Sequence, residues 1–260
     1  MQTEARSRAE TGDRVAVVTG AASGIGRAAA EALAAAGYRV GIGDIDDGEA
    51  VASGIREAGG EAFFRRCDVR STSDVDGLVD EAVDRWGRLD VMVNNAGVAI
   101  PGSAADMSEE EFLRVLDVNL VGEWRGMKAA LRHMLPRGSG SIINTGSVQG
   151  HVGFVGWAGY AASKGGIDAL TRQAAVEYAA RGIRVNSIIP GTILTPMNER
   201  ILAAADDPDA VMAGWEAMHP IGRVGSPEEV AAAIVFLASD ASSFVTGEAL
   251  RVDGGMIVRA

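Results

Sequence analysis

The stretch GYAASKGG, residues 159 to 166, places a phenol and an ammonium group four positions apart among small residues. On a helix, positions i and i+4 share a face, so Tyr160 and Lys164 are neighbours. A free tyrosine holds its proton to about pH 10. Bringing such a group to neutrality takes about 4 kcal/mol of preferential stabilisation of the phenolate, at about 1.36 kcal/mol per unit. An ammonium at about 4 to 6 Å in an effective dielectric near 20 supplies roughly 3 to 4 kcal/mol. The pair is therefore a candidate proton donor and acceptor, although Tyr and Lys at this spacing also occur on plain solvated helix faces.

A second chemical stretch, Thr19-Gly20-Ala21-Ala22-Ser23-Gly24-Ile25-Gly26, follows a β-branched run and leads into an alanine-rich helical pattern. Glycines at such a junction permit a tight turn and close approach to a pyrophosphate, whose charge the helix N-terminus favours. Asp44 ends the second strand pattern 20 residues after Gly24. A carboxylate there accepts from the adenosine ribose hydroxyls and repels a 2′-phosphate. No Arg or Lys follows in Ile45-Asp46-Asp47. The expected cofactor is therefore NAD(H), with NADP(H) second. Asp68, at the end of the third strand, is placed to reach the adenine amino group.

The elements that must position these groups are read from periodicity. Short apolar runs alternate with helical patterns, which predicts βαβ units and a parallel sheet. Strands are expected at Val15 to Thr19, Arg39 to Gly43, Ala62 to Cys67, Val91 to Asn94, Ser141 to Thr145, Arg184 to Ile189 and Ala249 to Val252. Asp74 to Trp86 carries one apolar stripe stopped by Gly87, and Ser226-Pro227-Glu228-Glu229 reads as a capping box. The expected class is α/β: one doubly wound Rossmann-type domain over 14–260, preceded by a frayed polar leader at 1–13. The irregular stretch 192–224 is the candidate lid.

With 24 basic and 35 acidic residues the chain carries a net charge of −11 and no basic cluster, which argues against nucleic acid as a partner. The long uncharged segment from Gly138 to Ser163 is too rich in Gly, Ser, Asn and Thr to span a membrane. A single cysteine, Cys67, excludes an internal disulfide and fits a reducing cytoplasm. None of the three histidines falls in a pattern with metal-ligand spacing, so no metal is expected.

In order and spacing, these residues resemble the short-chain dehydrogenases/reductases from about Arg14 to the C-terminus. The resemblance rests on Thr19 to Gly26, Asp68-Val69, Asn94-Asn95-Ala96-Gly97, Asn119, Ser147, Tyr160 to Lys164, Pro190-Gly191 and Asp253-Gly254-Gly255. It implies a seven-stranded sheet, a homotetramer, and hydride exchange between a nicotinamide cofactor and an alcohol or carbonyl. The catalytic residues it implies are Asn119, Ser147, Tyr160 and Lys164. Tyr160 is then the general acid/base, Ser147 orients the substrate oxygen, and Lys164 also holds the nicotinamide ribose and joins a water relay toward Asn119. The cofactor contacts it implies are Gly20, Ser23, Gly24, Ile25, Gly26, Asp44, Ile45, Asp68, Val69, Asn95, Ala96, Gly97, Tyr160, Lys164, Pro190, Gly191, Ile193 and Thr195.

Apolar residues in the lid and catalytic loop suit a lipophilic or cyclic secondary alcohol or ketone. They are Ile193, Leu194, Met197, Ile201, Leu202, Met212, Trp215 and Met218, with Val152, Phe154 and Trp157. His151 either contacts substrate or is a solvated loop residue, while His133 and His219 read as structural. An NADP(H)-dependent 3-oxoacyl reductase or sugar dehydrogenase is the alternative activity. A dinucleotide sensor without turnover needs no proton relay, and an interaction module explains neither the glycines nor Asp44.

Overall fold

The computed structural model describes residues 13–259, so residues 1–12 of the expected leader lie outside the described residues. Seven strands form one wholly parallel sheet: β1 (Val15–Thr19), β2 (Arg39–Asp44), β3 (Ala62–Arg66), β4 (Val91–Asn94), β5 (Gly140–Thr145), β6 (Ile183–Pro190) and β7 (Ala249–Val252). Their order is β3-β2-β1-β4-β5-β6-β7. Among the described residues nine α-helices join them: α1 (Gly24–Ala35), α2 (Glu49–Glu57), α3 (Thr72–Trp86), α4 (Glu109–Leu116), α5 (Gly122–Arg137), α6 (Ala158–Tyr178), α7 (Pro196–Ala203), α8 (Pro208–Met218) and α9 (Pro227–Ala238).

Strand alternation divides the core into two layers. Val15 and Val17 pack with α3, α5 and α6 on one face, whereas Ala16 and Val18 pack with α1, α2 and α9 on the other. The expected seven strands are all present, with ends shifted by one residue at several. β3 ends at Arg66, the last residue paired with β2, and the Cys67 N–H closes that ladder by donating to the Asp44 carbonyl at 2.7 Å. Gly87 ends α3 in the left-handed region at φ 75°, and the Glu229 carboxylate turns back to the Ser226 N–H at 2.9 Å to open α9.

The region 192–224 departs from expectation: it is not irregular but holds α7 and α8. Each begins with a side-chain cap followed by proline, Thr195 accepting from the Asn198 N–H and Asp207 from the Ala210 N–H. Neither helix has a buried residue, so both ride on the surface of the molecule.

The strand order reverses between β1 and β4, and the crevice above their C-terminal ends is where such sheets bind ligands. A buried amide ladder stiffens the sheet there: Asn94 Nδ2 donates to Asn144 Oδ1 at 2.9 Å, and Asn144 Nδ2 donates to Thr171 Oγ1 at 2.9 Å. Helix α5 passes so close that a methyl group on Gly126 would overlap Asn94 Oδ1. Gly126→Ala is therefore expected to destabilise the fold by about 1 to 3 kcal/mol, read as a lower denaturant midpoint at unchanged slope. An unshifted midpoint would show that α5 is free to move off the sheet.

Candidate active site

A turn from Gly20 to Ser23 connects β1 to α1 at the crevice. Gly20 has φ +65°, and a side chain on it would lie 2.6 Å from Ala96 Cα; one on Gly26 would collide with the Gly20 carbonyl. The Asn95 side chain makes this closeness possible. Its Nδ2 donates to the carbonyls of Thr19 (3.1 Å) and Gly20 (3.0 Å), while Thr19 Oγ1 accepts from the N–H groups of Asn95 (3.1 Å) and Ala96 (3.3 Å). Ser23 opens α1 without a side-chain cap bond, and no acidic residue sits in the first turn. The first N–H groups of a helix have no intrahelical partner, so this end presents donors and positive potential to an anion.

Asp44 borders the cradle. Its Oδ2 accepts from the Ala22 N–H at 2.9 Å and its Oδ1 from the Asp46 N–H at 3.0 Å, which holds the carboxylate at the mouth of the cleft. Asp68 sits beyond it in an ion pair with Arg70 (2.6 Å), and that guanidinium is the main cause holding the Asp68 carboxyl below its ordinary value.

The sequence-predicted residues converge on one cleft of about 650 Å³. Gly20, Ser23, Gly24, Ile25, Asp44, Ile45, Asp68, Val69, Asn95, Ala96, Gly97, Ser147, Tyr160, Lys164, Pro190, Gly191, Ile193 and Thr195 all line it. Gly26 lies beneath the turn, and Asn119 is fully buried behind the wall. Asn119 falls in a π-helical turn, Asp117–Val121, between α4 and α5. Its Oδ1 accepts from the Val98 N–H (2.8 Å) and its Nδ2 donates to the Val98 carbonyl (3.0 Å) and to Ser163 Oγ (3.2 Å). It thereby ties the loop after β4 to α6, an example of a single widened turn placed beside a functional site.

Tyr160 and Lys164 lie one turn apart near the start of α6, and Ser147 faces them from just beyond β5. The Lys164 Nζ stands 5.6 Å from the centroid of the Tyr160 ring and donates to the Thr145 carbonyl at 2.6 Å. Trp157 packs edge-on against Tyr160, with ring centroids 6.2 Å apart. Ser147 is buried, and its Oγ accepts from the Gln149 N–H at 3.2 Å, which leaves its proton free to donate into the cleft.

Behind Lys164 lies charge that sequence reasoning missed. Glu123, in the first turn of α5, is 2 % exposed, and its Oε1 stands 3.8 Å from the Lys164 Nζ. Burial pushes its carboxyl well above the usual range, against the opposing pull of Lys164. Asp168 follows Lys164 by one turn: its Oδ1 accepts from Ser187 Oγ at 3.0 Å, and its Oδ2 lies 2.8 Å from His151 Nε2. His151 lies outside the residues that line the cleft, in an exposed turn as the solvated-loop alternative expects, with its ring against Asp168.

The far end of the cleft is lined by Phe154, Trp157, Met197, Arg200, Ile201, Val211, Trp215 and Met218. Val152, Leu194, Leu202 and Met212, also expected there, are not. On α8, positions 211, 215 and 218 share one face, and Met212 sits about 100° around from it; on α7 the same geometry selects 197, 200 and 201 over 202. Arg114 and Arg200 line the cleft without an ion pair among the described residues, as does Gln149, whose buried Oε1 has no partner. His219 tethers this region to the strand end. Its Nε2 accepts from the Thr192 N–H (3.0 Å), so the ring proton lies on Nδ1 and donates to the Trp215 carbonyl (2.7 Å).

Comparison with known proteins agrees with this geometry. A family model described as enoyl-(acyl carrier protein) reductase matches residues 20–257. Cis-4-hydroxycyclohexanecarboxylate dehydrogenase of Sinomonas cyclohexanicum is 48% identical over 94% of this chain and 96% of its own. The 3beta-hydroxysteroid dehydrogenase 1 of Eggerthella lenta is 44% identical, over 94% and 93% respectively. Among solved structures, levodione reductase superposes with a TM-score of 0.93 at 35% identity, covering 96% of this chain and 100% of its own. The chain belongs to the short-chain dehydrogenase/reductase family, oxidoreductases that act on CH–OH groups with a nicotinamide dinucleotide.

Proposed function

We propose that the protein is an NAD(H)-dependent dehydrogenase that interconverts a lipophilic or cyclic secondary alcohol and its ketone, with Tyr160 as general acid/base. The observation that carries this reading is the position of Lys164, its ammonium 5.6 Å from the Tyr160 ring and anchored on the Thr145 carbonyl. The pair sets a positive charge beside a side chain that can both give and take a proton, the arrangement a general acid/base at a carbinol requires.

The cradle fits a dinucleotide: small residues where a side chain would clash, an uncapped helix N-terminus, and Asp44 beside it. Gly20, Ser23, Gly24 and Ile25 would hold the pyrophosphate, Asp44 the adenosine ribose, and Gly191, Ile193 and Thr195 the nicotinamide half. A bound nicotinamide supplies the site that accepts or returns hydride. In oxidation Tyr160 takes the hydroxyl proton as hydride leaves the carbinol carbon; in reduction it returns a proton to the carbonyl oxygen. Ser147 donates a hydrogen bond to that oxygen, a bond that strengthens as negative charge develops. Lys164 also reaches the nicotinamide ribose, and Asn119 completes the relay behind it.

Asp44 supports NAD(H) over NADP(H), because its carboxylate would repel a 2′-phosphate; Arg70, which lines the same cleft, is already matched by Asp68. The apolar far wall supports a lipophilic substrate, and the relatives' printed activities on hydroxycyclohexanecarboxylate and hydroxysteroid support a cyclic one. In this reading 192–224 is the lid of a single domain. It is a cytoplasmic homotetramer, for which the exposed Val176, Phe236 and Phe244 offer surface that a second subunit would cover.

A panel of cyclic alcohols with NAD+, including 4-hydroxycyclohexanecarboxylate, tests the activity; NADH binding without any turnover would favour a sensor instead. Tyr160→Phe is expected to abolish turnover while leaving NADH affinity within a few-fold, measured by cofactor fluorescence, and retained activity would remove Tyr160 from the chemistry. Asp44→Ala is expected to relax the preference toward NADP(H), read as the ratio of kcat/KM for the two cofactors. An unchanged ratio would assign the selectivity to another residue.

A further inference from the structure

Glu123 belongs to none of the motifs, yet it is the most deeply placed ionisable group near the chemistry. Both its carboxyl oxygens are buried without a hydrogen-bond partner among the described residues, and one of them faces the Lys164 ammonium at 3.8 Å. A buried carboxylate anion is tolerated only when paired and hydrogen-bonded. Were Glu123 ionised, its charge would lie closer to the ammonium than the Tyr160 ring does and would offset the field that favours the phenolate.

The surroundings favour a proton on Glu123. From α6 it faces Lys164 and Asp168, from β5 the backbone of Thr145, and behind Asp168 stands His151. Asp168 accepts from the Ser187 hydroxyl at 3.0 Å and has His151 Nε2 2.8 Å from its other oxygen, whereas neither oxygen of Glu123 has a hydrogen-bond partner among the described residues. On α5 itself, Arg125 turns away to Asp117 and Lys128 lies over Trp124, so neither reaches Glu123. Burial drives the unpartnered carboxyl of Glu123 toward its neutral form, against the opposing pull of Lys164.

We propose that Glu123 is a positioning residue for Lys164: it carries a proton while the enzyme works, gives the ammonium a neutral polar neighbour that leaves its charge intact for Tyr160, and ends the working range when it ionises. This rests on the reading of Tyr160 and Lys164 as the acid/base pair. At high pH an ionised Glu123 draws the ammonium toward itself and away from the phenol, so alcohol oxidation declines on the alkaline side.

Infrared spectra of the whole, ligand-free enzyme test the proton without requiring a substrate. Wild type is expected to show a protonated carboxyl band at neutral pH that is missing in the isosteric Glu123→Gln; a neutral-pH spectrum without that difference overturns the proposal. With a cyclic alcohol and NAD+, the alkaline decline in kcat/KM is expected in wild type and to be reduced at least fivefold in Glu123→Gln. Superimposable profiles would contradict it. Glu123→Met, of similar size and without a polar group facing Lys164, is expected to lower kcat about tenfold with KM within threefold and no loss of melting temperature. Full activity in that variant would leave Glu123 no positioning role. If no alcohol in the panel is turned over, the proposed function fails while the infrared band still decides the state of Glu123.

Discussion

The bond from the Lys164 ammonium to the Thr145 carbonyl, 2.6 Å long and buried, is the constraint on which the site depends. It crosses from α6 to the end of β5 and so fixes the helix that carries Tyr160 against the strand that leads to Ser147. A lysine so placed loses its rotational freedom and much of its hydration. What it gains is a fixed direction: the charge stands beside the phenol rather than in solvent. Around it the molecule supplies neutral partners and pushes excess negative charge either onto a proton, at Glu123, or onto other partners, at Asp168.

The other half of the site is built on proximity rather than charge. Backbone of the β1–α1 turn approaches the segment after β4 closely enough that side chains on Gly20 or Gly26 would collide, and Asn95 replaces the missing bulk with two hydrogen bonds to the turn. Asn119 does the same one layer out, joining the loop after β4 to the catalytic helix. Amide side chains suit this task because each both donates and accepts without adding charge. The outcome is a rigid floor under a cleft whose far wall, on α7 and α8, has no buried residue and is tied down chiefly through His219.

Much of this was legible in the sequence, for identifiable reasons. Strands buried on both faces read as β-branched runs, so all seven were found, with ends off by one residue where the last paired position carries no apolar signal, as at Asp44 and Gly140. The residues that meet in the cleft come from strand ends, where spacing along the chain reflects topology. Less was visible in 192–224, taken as irregular although Thr195-Pro196 and Asp207-Pro208 carry helix-start chemistry that could have shown α7 and α8. The facing of Met212 and Leu202 was missed because a one-residue choice on a short helix rotates a side chain by about 100°. Glu123 and the His151–Asp168 contact had no local signal at all: a carboxylate in the first turn of a helix is ordinary, and only its tertiary burial beside Lys164 makes it costly to ionise.

The account turns on whether the Lys164 charge governs the proton affinity of its neighbour. The most direct measurement is the pH dependence of kcat/KM for alcohol oxidation in Lys164→Met, saturated with NAD+. Loss of roughly 3 to 4 kcal/mol of phenolate stabilisation predicts an acid limb displaced upward by about two to three pH units. An acid limb that stays where it is in wild type, with only the plateau lowered, would contradict the electrostatic coupling and leave Lys164 as a cofactor-binding residue alone.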